Sequence, residues 1–258
     1  MNNQPIGLFD SGIGGTSIWS AVHGLMPNED TIYLADSKNA PYGLRSKSQI
    51  LDLCIKNTEL LLEMNSKIIV VACNTATTNA IKELRAKYNI PFIGIEPALK
   101  PAVKNTTTQT IGILATKGTL SSELFNKAVE IYQDTKIIEQ IGYGLVELIE
   151  NGEINSSEMD KLLRSYLQPM IVAGIDYLVL GCSHYPYLIP QIEKILPNHI
   201  KIIDSGEAVA RQTKKVLDEK TGINSSKECG KSIFYTNTNP KVLSEILHKK
   251  YNVIIKDF

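Results

Sequence analysis

Two short segments that end near a cysteine carry the residues best suited to chemistry in this sequence. The first, residues 67–76, places Cys73 after an apolar, β-branched run, and the second, residues 176–185, places Cys182 after a similar run. Such a run is typical of a strand buried on both faces of a parallel sheet, and open α/β sheets bind ligands at the carboxyl ends of their strands. The two cysteines are 109 residues apart. We therefore predict one thiol in each half of a two-lobed protein.

Two thiols that face each other across a cleft suit the inversion of a stereocentre. One thiolate removes a proton from carbon, and the opposite thiol delivers a proton to the other face. Asp10 and His184 are the candidate helpers that would set the protonation states of Cys73 and Cys182, respectively. Main-chain amides and polar side chains around an α-carboxylate would stabilise the carbanion. No motif for a pyridoxal phosphate Schiff base and no metal-binding cluster is found, so we expect no cofactor and no metal.

Each cysteine also has a purely structural interpretation. Free cysteines usually pack as small hydrophobic residues, and Cys54, on an apolar helix stripe, is interpreted in that way. For Cys73 the predicted helix start favours a lowered thiol pKa. An isolated Cys-x-His would make His184 a helix-cap histidine, but a second cysteine at the matching place favours catalysis. Cys229 has no companion motif and is interpreted as incidental.

Three further features are candidates for the site. The turn of residues 10–15 (DSGIGG) lies between a strand and a helix, where glycines permit a sharp turn and free amides can hold an anion such as a carboxylate. The alternative is a plain tight turn. Asp36 and the loop Pro41-Tyr42-Gly43 are predicted to line the substrate cleft, although a structural turn is equally compatible with these residues. Glu150, at the end of a predicted helix, is by default a solvated carboxylate.

Strands and helices alternate along the chain, which predicts α/β architecture with mostly parallel sheets flanked by helices. Three landmarks recur at offsets of 105, 109 and 110 residues, which indicates two pseudo-symmetric lobes with the active site in the cleft between them. We predict a first lobe of residues 1–97 plus 207–258 and a second of residues 98–206. The chain would cross between them near residues 96–97 and 205–206, forming a hinge. Ser46 with Gln49, and Asn155 with Glu158, are predicted helix caps.

Composition restricts the classes of function. The 258 residues include 27 basic and 27 acidic side chains, so there is no electrostatic footprint for nucleic acid or an anionic membrane. No apolar run approaches the length of a membrane-spanning helix, and the first residues do not resemble a signal peptide. We therefore expect a cytoplasmic protein with reduced thiols.

Together these motifs resemble glutamate racemase, the cofactor-independent bacterial enzyme that makes D-glutamate for peptidoglycan. The resemblance covers nearly the whole chain and rests on residues 7–15, 40–43, 71–76, 94–97, 181–186 and 204–206. It implies that Cys73 deprotonates the D-enantiomer and Cys182 the L-enantiomer, with help from Asp10 and His184. The positions that it implies for substrate binding are Asp10, Ser11, Tyr42, Gly43, Asn74, Thr75, Ser183 and His184. It also implies glutamate as substrate, a homodimer, and an accessory role for Glu150. From their place in the cleft loop, Pro41 is a further candidate for substrate binding and Asp36 a further accessory candidate.

The chain departs from the family pattern in two places. Serine replaces the usual threonine at Ser183, which keeps the hydroxyl donor with a looser fit. Residues 142–147 (GYGLVE) lack the usual Cys-Pro and later proline. Because only five residues precede Ile6, we also expect activity without a cell-wall precursor.

Three alternatives remain open. One is a racemase for another acidic amino acid such as aspartate. The others are a hydrolase or transferase that uses Cys182 and His184, and a two-lobed binding protein without turnover.

Overall fold

The computed structural model describes residues 2–224 and 228–258. The strands are β1 Ile6–Asp10, β2 Thr31–Ala35, β3 Ile68–Val71, β4 Phe92–Gly94, β5 Thr110–Ala115, β6 Lys136–Ile141, β7 Tyr177–Gly181, β8 Lys201–Ile203, β9 Ser232–Thr236 and β10 Val253–Ile255. The helices are α1 Thr16–Leu25, α2 Lys47–Glu63, α3 Asn74–Lys87, α4 Leu99–Asn105, α5 Lys117–Leu120, α6 Glu123–Glu130, α7 Leu145–Glu150, α8 Ser157–Val172, α9 Ile189–Ile192, α10 Gly206–Val216 and α11 Lys241–Ile246. Within these described ranges, no helix is both long and apolar enough to cross a bilayer.

The strands form two parallel sheets that share one topology. The first has the order β10-β9-β2-β1-β3-β4 and the second the order β6-β5-β7-β8. The unit β2-β1-β3-β4 therefore matches β6-β5-β7-β8 strand for strand, and the three sequence offsets predict the pairs β1 with β5, β3 with β7 and β4 with β8. The predicted two-lobed α/β fold class is confirmed.

The tail of the chain joins the first sheet. Strand β9 pairs with β2 and β10 pairs with β9, both in parallel register. Helix α10 packs on α1, and Trp19 of α1 meets Phe234 of β9 edge to face. The two chain crossings contact each other, because Ser205 Oγ donates to the carbonyl oxygen of Glu96 at 2.5 Å. The domain boundaries that we assign from the sequence remain a prediction.

Local sequence explains most element boundaries. The predicted capping box at Ser46 and Gln49 is present at the start of α2. The predicted cap of α8 at Asn155 is wrong by one residue, because Ser156 accepts from the amide of Met159. Strand β6 was not predicted from the sequence, since it is an edge strand whose polar residues give no continuous apolar run.

Both cysteines lie at the carboxyl edge of the sheets, as expected. Cys73 follows β3 and is the N-cap residue of α3, while Cys182 directly follows β7. Strands β3 and β7 occupy equivalent places in the two sheets. The fold thus brings one thiol from each lobe to the surface where the lobes meet.

A buried ion pair stabilises the opposite edge of the first sheet. Lys67, just before β3, and Glu29, just before β2, have side chains that are 0% and 1% exposed, with Nζ 2.7 Å from Oε2. Lys67 also donates to the carbonyl oxygens of Asn2 and Gly222, and Glu29 accepts from the amide of Asn224. The pair therefore ties three segments together beneath the sheet.

Replacing Lys67 with methionine would leave the Glu29 carboxylate buried without its partner. We expect Lys67→Met to lower the free energy of unfolding by about 3–5 kcal/mol in urea titrations, and the double variant with Glu29→Leu to recover most of it. Glu123→Gln, which breaks the exposed pair with Lys127, is the control and should have no measurable effect. A single variant as stable as the double variant would contradict this interpretation.

Candidate active site

Cys73 is a protonated thiol buried at the start of α3. It is 4% exposed, it accepts from the amide of Ala76 at 3.4 Å, and it donates to Ser11 Oγ at 3.7 Å. Burial, together with the negative charge of Asp10, raises the pKa of Cys73 well above its ordinary value. The lowered pKa expected from the helix start is therefore not found in this form, because burial outweighs the effect of the nearby amide.

Cys182 is paired with the histidine that follows it. Its Sγ lies 3.9 Å from Nδ1 of His184, and Nε2 of that ring lies 2.6 Å from Oε1 of Glu150. Burial lowers the pKa of His184, but its hydrogen bonds to Cys182 and Glu150 and the charge of Asp10 outweigh burial and raise the pKa well above the ordinary value. The raised pKa favours the imidazolium form of His184, in which Nδ1 faces the sulfur and Nε2 faces the carboxylate.

Glu150 belongs to this cluster, so its default interpretation as a solvated helix-end carboxylate is wrong. Its Oε1 accepts from the amide of Ile13 at 2.7 Å, and its Oε2 accepts from Ser37 Oγ at 2.8 Å. Both donors come from the first lobe, whereas Glu150 ends α7 of the second. The carboxylate therefore joins His184 to the glycine-rich turn across the lobe interface.

The glycine-rich turn holds carboxylates of the protein itself. The amides of Gly12 and Gly15 donate to Asp10 Oδ2 at 3.2 and 2.9 Å. The amide of Gly14 lies 3.2 Å from Nε2 of His184, which is a close contact once that nitrogen carries a proton. The amides of Gly12, Ile13 and Gly15 are therefore occupied by carboxylates of the protein, whereas the amide of Gly14 has an acceptor only when Nε2 is unprotonated.

Gly12 and Gly14 are required for the close approach of the two lobes. A Cβ at Gly12 would lie 1.9 Å from Oε1 of Glu150, and one at Gly14 would lie 2.2 Å from Nδ1 of His184. Any larger residue at either position would separate the charged cluster from the turn.

Asp10 is completely buried and bridges the lobes. Besides its two amide donors, it accepts from Ser183 Oγ at 3.1 Å. Burial raises the pKa of the Asp10 carboxyl, although the nearby charge of His184 opposes the shift. Asp10 makes no hydrogen bond to Cys73, and Ser11 is the residue that contacts the thiol. Asp10 therefore acts on Cys73 through its charge.

Asn74 is the best-placed group for an external ligand. Its side chain is 2% exposed, and neither its Oδ1 nor its Nδ2 has a hydrogen-bond partner. Unpaired buried amides are costly, so a ligand that supplies both an acceptor and a donor would stabilise the site. Asn74 and Thr75 also open α3, where the first main-chain amides have no partner within the helix.

Two threonines of the second lobe complete the site and were missed by sequence reasoning. Thr116 Oγ1 lies 2.8 Å from Thr75 Oγ1, and Thr119 Oγ1 lies 3.3 Å from it. A Cβ at Gly43 would come within 2.9 Å of Thr116, which shows how closely the 41–43 loop packs there. A sequence signal for these two threonines was available. Residues 116–119 follow β5 in the second lobe just as residues 11–14 follow β1 in the first.

Tyr42 and Asp36 form the support of that loop. The Tyr42 hydroxyl donates to Asp36 Oδ2 at 2.5 Å and accepts from Asn57 Nδ2 at 3.1 Å. Its side chain is therefore occupied, and its carbonyl oxygen accepts from the amide of Arg45 at 3.0 Å. Asp36 thus contacts the loop through the Tyr42 hydroxyl.

The fold thus gathers most of the predicted residues at one interface. Asp10, Ser11, Cys73, Asn74, Thr75, Cys182, Ser183 and His184 are all buried between the carboxyl edges of the two sheets, with Glu150 half-buried beside them. Pro41 and Gly43 lie at the rim, next to Thr116 and residues 142–147. Among the described residues, no group of three or more His, Cys, Asp or Glu side chains is arranged to hold a metal ion. The arrangement is suited to acid–base chemistry by the two thiols.

Comparisons with known proteins agree with this geometry. Residues 16–213 match the family model described as Asp/Glu/Hydantoin racemase. A glutamate racemase of Herpetosiphon aurantiacus is 41% identical over 247 residues, which cover 95% of this chain and 97% of that protein. The crystal structure of a glutamate racemase isoform from Bacillus anthracis has a TM-score of 0.88 at 29% identity, covering 100% of this chain and 98% of that one. Escherichia coli glutamate racemase, solved with L-glutamate and the activator UDP-MurNAc-ala, has a TM-score of 0.87 at 29% identity, with 98% of each chain covered. The chain therefore belongs to the Asp/Glu/Hydantoin racemase family, among its glutamate racemases.

Proposed function

We propose that the protein interconverts L-glutamate and D-glutamate without a cofactor, and that Cys73 and Cys182 are its two bases. The observation that carries the proposal is the placement of the two thiols. Each follows the equivalent strand of a duplicated four-strand unit, and both are buried at the same lobe interface. A planar carbanion held between them would have one sulfur on each face.

The carbanion requires electrostatic stabilisation, because an α-proton of an amino acid is very weakly acidic. We assign this role to the unpaired side-chain amide of Asn74 and to the main-chain amides at the start of α3. Preorganised donors of this kind act on charge that develops at the α-carboxylate. Ser11, Thr75 and Ser183 supply further hydroxyl groups at the same place, and the main chain of residues 41–43 lines the rim.

The two bases differ in their surroundings. Burial raises the pKa of Cys73, whereas the sulfur of Cys182 lies 3.9 Å from Nδ1 of His184. A substrate that meets this arrangement finds a proton donor on the Cys73 side and a histidine-assisted sulfur on the Cys182 side. In the L to D direction, Cys182 removes the α-proton and Cys73 delivers one.

Glu150 orients His184 and stabilises its protonated form. Its contact with Nε2 leaves Nδ1–H directed to the sulfur of Cys182. When the sulfur of Cys182 takes the substrate proton, His184 stays oriented toward it through its contact with Glu150. His184 and Glu150 therefore adjust the base without contributing a proton to the substrate.

The biological setting follows from the product. D-glutamate would supply peptidoglycan synthesis in the cytoplasm, with the protein acting as a homodimer. Equilibrium sedimentation tests the homodimer.

A preference for aspartate is the nearest alternative to the proposed function. Comparison of kcat/KM for glutamate and aspartate separates the two possibilities.

We expect the wild-type protein in D₂O to place deuterium at the α-carbon as optical rotation changes. With two bases, early deuterium should appear mainly in the product enantiomer, because the donor exchanges with solvent while the abstracted proton stays on the other sulfur. Proton NMR and polarimetry on the same samples measure both. A protein that leaves the α-proton unexchanged is not a racemase.

Cys73→Ser and Cys182→Ser should each lower kcat for racemisation by about 10³-fold or more, because an alcohol is a much weaker acid than a thiol. Cys229→Ser, which changes an exposed thiol in the same way, is the control and should keep wild-type rates. Full activity in Cys73→Ser would instead support a hydrolase or transferase that uses Cys182 and His184.

We also expect Glu150→Gln to lower the pKa of His184, since it removes the adjacent negative charge. In the wild type this pKa lies above the unfolded value of about 6.5, so the pair contributes stability below that pH and loses it as pH rises through the folded pKa. NMR titration of the imidazole, identified by its absence in His184→Gln, measures the shift. An unchanged midpoint in Glu150→Gln would show that Glu150 does not hold this proton.

A further inference from the structure

The C-terminal tail contributes one half-buried side chain to the support of the 36–45 loop. Strands β2 and β9 are paired in parallel with Ala35 opposite Thr236. The next residue on each strand is therefore Asp36 on one side and Asn237 on the other. Because the carboxyl ends of parallel strands meet at one edge of the sheet, this register places an amide beside a carboxylate.

Asn237 connects three parts of the first lobe. Its Nδ2 donates to Asp36 Oδ1 at 2.5 Å and to the main-chain oxygen of Phe258 at 3.2 Å. Its Oδ1 accepts from the amide of Lys38 at 2.8 Å. One side chain thus fixes the carboxylate, the start of the loop and the end of the tail.

Asp36 transmits this constraint to the substrate loop. It is 1% exposed and accepts from Asn39 Nδ2 at 2.8 Å and from the Tyr42 hydroxyl at 2.5 Å. Tyr42 is equally buried, so its ring and main chain move together with the carboxylate. Next to it, Gly43 packs against Thr116 of the second lobe with no space for a Cβ.

The tail has no counterpart in the second lobe, whose sheet ends at β6 where the first continues into β9 and β10. The second lobe therefore has no residue equivalent to Asn237. The catalytic role of the two thiols does not explain why the first lobe has this additional tail. Support of the loop that follows β2 does explain it.

We infer that Asn237 is a positioning residue that orients the Tyr42-Gly43 substrate loop through the buried carboxylate of Asp36. The inference rests on the proposed function, because it assumes that this loop binds glutamate. Loss of the amide releases one donor from Asp36 and frees Lys38, and the loop then samples orientations that do not bind substrate.

The kinetic test is Asn237→Ala. We expect KM for glutamate to rise about tenfold, the effect of losing one hydrogen bond to a charged group, while kcat changes less than about twofold. Asp257→Asn is the matched control. It removes the exposed ion pair between the same tail and Lys38 without touching the buried network, and it should leave KM unchanged.

Asn237→Asp provides a readout that a general loss of stability would not give. At acidic pH one of the two adjacent carboxyl groups is protonated and its O–H replaces the amide donor, whereas at alkaline pH both ionise and repel. The ratio of KM for Asn237→Asp to KM for the wild type should therefore approach one at the acidic end of the activity range and rise with pH. A ratio that does not vary with pH would overturn the inference.

Hydrogen exchange followed by mass spectrometry tests the inference without reference to catalysis. Amides of residues 36–45 should exchange faster in Asn237→Ala than in the wild type, and those of β5 and β7 should not change. If the wild type fails to racemise glutamate but this loop loosens, the proposed function is wrong and the positioning role stands. If the wild type is active and the variant matches it in KM and in exchange, the positioning role is wrong.

Discussion

The closed arrangement of the two lobes depends on a set of buried polar contacts across the glycine-rich turn. Glu150 and Ser183 of the second lobe bind the turn of residues 10–15 through the amide of Ile13 and the carboxylate of Asp10. These groups are buried or half-buried at the interface, and each has a partner on the other lobe. The contacts also act on His184: burial lowers its pKa, whereas the hydrogen bonds to Cys182 and Glu150 and the charge of Asp10 across the interface raise it.

Sequence reasoning predicted the fold class, the duplicated lobes and the position of both thiols at strand ends, because apolar runs and turn residues are local signals. It failed where the determining contact is distant. Glu150 lies 137 residues from its partner Ile13, and nothing near it in sequence indicates that it is buried. The pKa of Cys73 was expected to fall because the helix start is visible in the sequence, whereas the burial that raises it comes from packing in a core cluster of the first lobe, which the local sequence does not show.

Lys67, at the opposite edge of the sheet, is another residue whose burial the local sequence does not indicate. It is the first residue of the segment 67–76, and from the sequence it is interpreted as an ordinary charged residue before a strand. Its side chain is nevertheless completely buried against Glu29. Thr116 and Thr119 form an intermediate case. Their place in the second copy of the strand–turn unit was visible, but the hydroxyl contact with Thr75 depends on how the copies are apposed.

The identical order of the two four-strand units has a consequence for how stereochemical preference is encoded. Because the backbone offers each face of the substrate an equivalent strand end, handedness is not specified by the fold. It resides in the few side chains that differ between the halves, namely the histidine after Cys182, the asparagine after Cys73, and the residues that support them. Point changes in either half can therefore alter kcat and KM for one enantiomer relative to the other, while the scaffold and the equilibrium between the enantiomers, which no catalyst can shift, stay the same.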